Sequence, residues 1–261
     1  MKQLHYGVAT HTGKVRPMNQ DTLFAGRLER DDAKAIHFLA VADGIGGYLG
    51  GDTASKIAIE TSLNFLCNPE LLWPAEDAIS FWPKLLKQMA FEINDAILLA
   101  AKIEPRYTAM GTTLTAVVEI NQFLYMLHIG DSRFYHYDED KLHQISSDHS
   151  WAAELLRSGQ ISPEEARTHP NRNILTQSLG YAGKLQTETK VLELTQQSRL
   201  LICSDGLYTM VTDNELQTAL KMMTDPQNTA NELIDLANQR GGFDNISAIT
   251  AVYLPEVRGA Q

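Results

Sequence analysis

The sequence predicts an α+β fold, in which two mainly antiparallel sheets pack together and helices cover their outer sides. Three observations predict it. Short runs rich in Val, Ile, Thr and aromatic residues lie at both ends of the 261-residue chain. They come in hairpin-like clusters, which disfavours an alternating parallel βα barrel. Segments with apolar residues at helical spacing fall between the clusters and after them.

The elements follow in order. "LHYGVAT" opens the chain as a strand, and "DTLFAG" follows the polar turn "KVRPMNQ". "IHFLAVAD" is a third strand, ending on Asp43. A helix is expected from Asp52 to Leu66, with Asp52 placed to cap it. A second runs from Pro83 to Ile103, where Leu85, Leu86, Met89, Ala90, Ile93, Ala96, Ile97 and Ala100 form an apolar stripe. "TTLTAVVEI" and "FLYMLHIG" flank Asn121-Gln122 as a hairpin. "RFYHYDEDKLHQI" is another, turning at Asp138 to Asp140. "KVLEL", "RLLICSD" and "ISAITAVYL" complete the strands. "TDNELQTALKMM" starts with a capping box, Thr212 to Glu215. "NTANELIDLANQRGG" ends on glycines suited to a helix C-terminus. The polar stretch from Ser146 to about Lys184 reads as a surface insertion, with short helical patterns in "SWAAELLRS" and "SPEEAR".

Composition narrows the function. The net charge of -10 argues against nucleic acid and anionic membrane as partners. It is compatible with a site that gathers carboxylates. The 2 cysteines, Cys67 and Cys203, make no disulfide framework. The N-terminus lacks the apolar core of a signal peptide, and no apolar run is long enough to span a bilayer. The expectation is a single-domain cytoplasmic protein over residues 1–261.

The stretch "HFLAVADGIGGYLGG" asks why an apolar strand should end on an acid and then on glycines. A phosphate-binding loop fails, because Asp52 stands where its lysine belongs. The dinucleotide pattern fails at Leu49. Two readings remain. One is a plain Asp-Gly turn. The other is a cation site, with Asp43 and the carbonyl of Gly44 as oxygen ligands.

Asp43 has counterparts. "RLLICSDG" is an apolar strand followed by Asp205 and Gly206, "FLYMLHIGDSR" ends a strand at Gly130 and then has Asp131, and "GGFDN" places Asp244 before the last strand. Acids that converge repel one another and resist burial unless cations neutralise them. An all-oxygen set suits Mg²⁺ or Mn²⁺. Zinc is disfavoured, since no C-x-x-C pair or H-E-x-x-H helix is present.

Six ordered motifs now stand together: "RPMNQD", "VADGIGG", "GTTLTAVV", "HIGDSR", "SDGL" and "FDNIS". With them the chain resembles a metal-dependent Ser/Thr protein phosphatase of the type 2C (PPM) family, in its compact bacterial form. The resemblance implies an α-β-β-α sandwich with a metal centre at one edge of the sheets. It implies two to three Mn²⁺ or Mg²⁺ ions. Asp43 would bridge two of them, with the Gly44 carbonyl on one. Asp205 and Asp244 would complete the other, and Asp131 with Asp205 would hold a third. Asp21 would orient water, and Arg16 would hold phosphate oxygens with its planar fork. The insertion, about 146–184, matches the family's variable flap. Two cations roughly 3.5–4 Å apart supply hydroxide near neutral pH, which attacks phosphorus in line.

The implied function is hydrolysis of phosphoserine and phosphothreonine on proteins, opposing a cognate Ser/Thr kinase. Alternatives are a catalytically weak phosphoprotein-binding regulator and a small-molecule phosphoesterase. Two departures from the family pattern stand out. Ile45 replaces the histidine that many eukaryotic relatives carry as a proposed general acid, and Gln20 replaces an acidic ligand of animal relatives. The second implies weaker metal binding. A cysteine phosphatase is excluded, because Thr209 stands where its loop needs arginine. His128 and His149 have no metal-ligand spacing, and Trp73, Trp82 and Trp151 read as packing anchors.

Overall fold

The structure is a computed structural model that describes residues 2–29, 35–68, 70 and 79–255. Trp73 lies outside these residues. One sheet orders β1 (Lys2–His11), β11 (Ile246–Pro255), β10 (Arg199–Cys203), β7 (Arg133–Asp138) and β8 (Lys141–Gln144). The other orders β2 (Asp21–Glu29), β3 (Ala35–Ile45), β5 (Leu114–Ile120), β6 (Phe123–Ile129) and β9 (Glu188–Glu193). A two-residue strand, β4 (Gly111–Thr112), pairs with the end of β3. Every described strand pair is antiparallel.

Strand alternation builds the layers. In β3, Phe38, Ala40 and Ala42 face a helix layer, while Leu39 and Val41 face the other sheet. In β11, Ile246, Ala248 and Val252 face outward, and Ile249 and Ala251 face inward. The seam between sheets is filled by Leu39, Val41, Met126, Phe134, Ile202 and Ile249, among others. Each such side chain, fully buried, contributes roughly 1.5–3 kcal/mol. Outside β3 and β5 lie α1 (Gly47–Cys67) and α2 (Phe81–Ile103). The opposite outer layer comprises α5 (Asp205–Tyr208), α6 (Asp213–Met222) and α7 (Pro226–Gln239). The expected α-β-β-α sandwich is therefore present.

Local signals held in several places. Asn121 and Gln122 both have positive φ, at 51° and 72°, as a tight hairpin needs. Glu139 and Asp140 do the same between β7 and β8. Thr212 and Glu215 form the capping box of α6. Six residues of the α2 stripe are buried as expected, Ala96 and Ala100 are partly buried, and Trp82 packs against Tyr125.

Two expectations need correction. Helix α1 begins at Gly47, not near Asp52, so Asp52 lies inside it and pairs with Lys56 at 3.2 Å. Glycines discourage helix in isolation, but here Gly51 packs backbone to backbone against Gly44, where a Cβ on Gly51 would lie 2.7 Å from the carbonyl. Trp151 is 46% exposed and anchors no core. The short strand β4 and the one-turn helix α5 carry no periodicity that a sequence could reveal.

The chain leaves the first sheet after β8 and joins the second at β9. Between them it forms α3 (Trp151–Arg157) and α4 (Pro163–Thr168). The two arms of this excursion meet in an antiparallel bridge between Ser150 and Leu175. No helix among the described residues is long and apolar enough to cross a membrane.

Candidate metal centre

The alternation that turns Leu39 and Val41 into the seam turns Asp43 the same way, at the strand's end. Asp21 is its register partner on β2, two residues before inward-facing Leu23. Both acids therefore sit at the mouth of the seam between the sheets. Asp205 opens α5 directly after β10, Asp131 follows β6 across Gly130, and Asp244 precedes β11. These segments bring Asp43, Asp131, Asp205 and Asp244 to one cleft of about 390 Å³, with Arg16 and Gly44 on its wall. The sequence-derived set thus converges, except that Asp21 lies beneath the cleft instead of lining it.

The electrostatics of this convergence are unfavourable to charge. Burial, and then the charges of Asp21, Asp205, Asp131 and Asp244, hold the Asp43 carboxyl well above its usual range. Asp205 is raised likewise, by burial and then by Asp131 and Asp244. Burial pushes Asp131 up to about 7, with Asp148 adding to it and Arg133 opposing. Burial pushes Asp21 up to about 6, against hydrogen bonds from Ser247 and Ser204.

The hydrogen bonds show what holds the acids. Ser204 Oγ donates to Asp21 Oδ2 at 2.8 Å, while Asp21 Oδ1 is buried without a partner among the described residues. The Asp43 carbonyl accepts from the Thr113 N–H at 2.9 Å and from Thr112 Oγ1 at 2.8 Å. Its N–H donates to Thr113 Oγ1 at 3.0 Å. Gly44 could not be another residue, since a Cβ there would meet the Gly51 oxygen at 2.1 Å. The glycines after Asp43 thus seat the start of α1 against the cleft floor. That answers the question raised by their spacing.

Sequence reasoning missed several supporting residues. Asn245 Nδ2 donates to the carbonyls of Thr12 and Met18, each at 2.9 Å, and its Oδ1 accepts the Gln20 N–H at 2.8 Å. It thereby fixes the loop that carries Arg16. Ser204 and Asn245 stand inside motifs read for their acids alone, so the signal was present. Asn173 and Leu175 line the cleft from the excursion between β8 and β9. Met18 and Ile45 add apolar surface.

Cys203 is a fully buried strand residue, and burial pushes its thiol up, so it is no nucleophile. The fold brings together two histidines whose sequence spacing gave no sign of it. His128 and His149 are brought together, with ring centroids 4.9 Å apart. With Glu188 they form the one trio of His, Cys, Asp or Glu ligand atoms within 4.8 Å of one another among the described residues. The cleft acids are spread more widely. Burial, with His149 adding, pushes His128 down to about 4, so its ring is neutral.

Residues 11–239 match the family model described as protein phosphatase 2C. The chain is 37% identical over 246 residues to serine/threonine phosphatase stp of Listeria innocua, covering 94% of both chains. A solved serine/threonine phosphatase of S. agalactiae superposes with a TM-score of 0.86 at 30% identity, covering 96% of this chain and 99% of that one. The catalytic domain of serine/threonine protein phosphatase PstP in complex with two manganese ions gives 0.82 at 32% identity, covering 98% of this chain and all of that one (100%).

Proposed function

This chain belongs to the protein phosphatase 2C family, and we propose how its residues perform that family's reaction. The activity is metal-dependent hydrolysis of phosphoserine and phosphothreonine on proteins, with Mn²⁺ or Mg²⁺ as cofactor. The observation that carries the reading is the convergence of four carboxylates from four separate segments on one cleft beside Arg16.

The donors fit hard divalent cations. They are all oxygen, their mutual repulsion raises their affinity for positive charge, and Asp21 keeps one buried oxygen unpartnered. Asp43, the Gly44 carbonyl, Asp205 and Asp244 would hold a pair of cations, and Asp131 with Asp205 a third. When bound, such ions supply hydroxide at neutral pH and draw charge from the phosphoryl oxygens. Arg16 grips two of those oxygens and sets the phosphorus for in-line attack. Asp21, steadied by Ser204 beneath the cleft, would orient water for the attack. Ile45, on the cleft wall, has no proton to give the departing Ser or Thr oxygen.

The whole chain serves as one catalytic domain, and the segment 146–184 acts as a flap. Its support is that Asn173 and Leu175 face the cleft. The biological role is to reverse a Ser/Thr kinase in the cytoplasm, where the free thiols Cys67 and Cys203 are at home.

The test is turnover of a phosphothreonine peptide. It should require added Mn²⁺ or Mg²⁺ and stop in excess EDTA. Full activity in EDTA sinks the assignment.

A further inference from the structure

His149 holds the turn that carries Asp131. Its backbone N–H donates to the Gly130 carbonyl at 2.7 Å, and its ring Nδ1 accepts the Gly130 N–H at 3.1 Å. Gly130 has φ +108°, which side-chain-bearing residues rarely adopt, and a Cβ there would lie 2.5 Å from the Thr113 side chain. Glycine has little conformational preference of its own. The direction of the next residue is therefore set from outside, and the next residue is Asp131.

The tautomer follows from the donor. A backbone N–H can only donate, so Nδ1 presents its lone pair and the neutral ring carries its proton on Nε2. Neither nitrogen can then ligate a cation while this bond stands. Glu188 is committed as well, accepting from Ser147 N–H at 2.8 Å and Ser147 Oγ at 2.9 Å and pairing with Lys190. The trio His128, His149 and Glu188 is thus a packed strut and not a metal site. His149 is also bonded to the cleft-lining arm, because its carbonyl accepts the Thr176 N–H at 2.8 Å.

We propose that His149 is a positioning residue which, through Gly130, holds Asp131 in place for its cation. The inference rests on the reading of Asp131 as a ligand. It makes the cation site at Asp131 depend on a ring that touches no metal, as supporting hydrogen bonds do elsewhere.

Mn²⁺ binding, followed by the electron paramagnetic resonance of the free ion, tests it in four proteins: wild type, His149→Phe, His149→Asn and Asp131→Ala. His149→Phe should weaken, by about ten- to a hundredfold, the site that Asp131→Ala removes, and leave the others unchanged. His149→Asn keeps an acceptor for the Gly130 N–H and should retain that site. Asp131→Ala should lose it. Melting curves in chelator check folding, and His149→Ala replaces His149→Phe if the latter does not fold. If Asp131→Ala loses a site and the His149 truncation leaves that site at full affinity, the role of His149 is overturned alone. If Asp131→Ala keeps every site, the ligand reading falls with it.

Discussion

Arg16 Nη2 donates to Asp244 Oδ2 at 2.7 Å, which ties a half-exposed cation to the acid rim of the cleft. That hydrogen bond, and the charges of Asp205 and Asp43, hold the guanidinium firmly protonated. Arg16 is therefore an oriented cation at the entrance, facing where a phosphoryl group would arrive.

Replacing it should harm substrate engagement more than metal binding. Arg16→Ala is expected to lower kcat/KM on a phosphopeptide by roughly 1.5–3 kcal/mol. Arg16→Lys should recover only part, because an ammonium cannot form the two-pronged contact. Steady-state kinetics at saturating Mn²⁺ measure both. An unchanged kcat/KM for Arg16→Ala removes this residue from the site.

The raised carboxyls predict how stability depends on pH without metal. Asp21 and Asp131 bind protons more tightly folded than unfolded, at about 6 and about 7. Their contribution is fully present below the unfolded value, about 4, and is lost as pH rises through the folded values. In EDTA the melting temperature should fall between about pH 4 and pH 7. Added Mn²⁺ at a hundredfold excess over Kd should restore about 2.7 kcal/mol at neutral pH. A metal-free protein that grows more stable over this range would contradict the clustering.

Asp205→Asn separates a ligand from a structural aspartate. It removes a charge that burial and its neighbours oppose. The variant should be inactive, yet in EDTA at neutral pH it should melt no lower than wild type. It should also gain less from Mn²⁺. Melting well below wild type in EDTA would show that Asp205 holds the fold instead.

The ion pair between Arg133 and Asp148 should behave oppositely. Asp148 takes three hydrogen bonds from the guanidinium, at 3.0, 3.2 and 2.7 Å, and the same guanidinium lies 3.7 Å over the Tyr208 ring of α5. Asp148→Ala leaves that cation buried and should destabilise by about 3–5 kcal/mol. Arg133→Met combined with Asp148→Leu should recover part of the loss. Denaturant titrations of the singles and the double give the coupling energy, and additive effects would show that the two residues act independently.

Much of this molecule is legible in one dimension. Strand alternation, the Asn121-Gln122 turn, the Thr212 capping box and the α2 stripe are set by neighbours a few residues apart. An acid at the tip of an apolar strand is likewise a local pattern, and its recurrence at Asp43, Asp131, Asp205 and Asp244 pointed to one centre. Register then places Asp21 opposite Asp43, because a period of two leaves each side chain only two faces.

The tertiary structure decided what depends on distant chain meeting. Helix α1 starts five residues before Asp52 because Gly44 and Gly51 touch, which helix propensity cannot foresee. His128 and His149 are 21 positions apart in sequence and meet because the chain returns past the end of β6. Asn245 closes the Arg16 loop from the far end of the chain, and Asn173 and Leu175 reach the cleft across an excursion without periodicity. The sequence by itself determined which residues could bind a cation and a phosphate, because that chemistry resides in side-chain type. How those groups are buried, oriented and held was decided by packing, because hydrogen bonds and desolvation act only between atoms that the fold has already brought together.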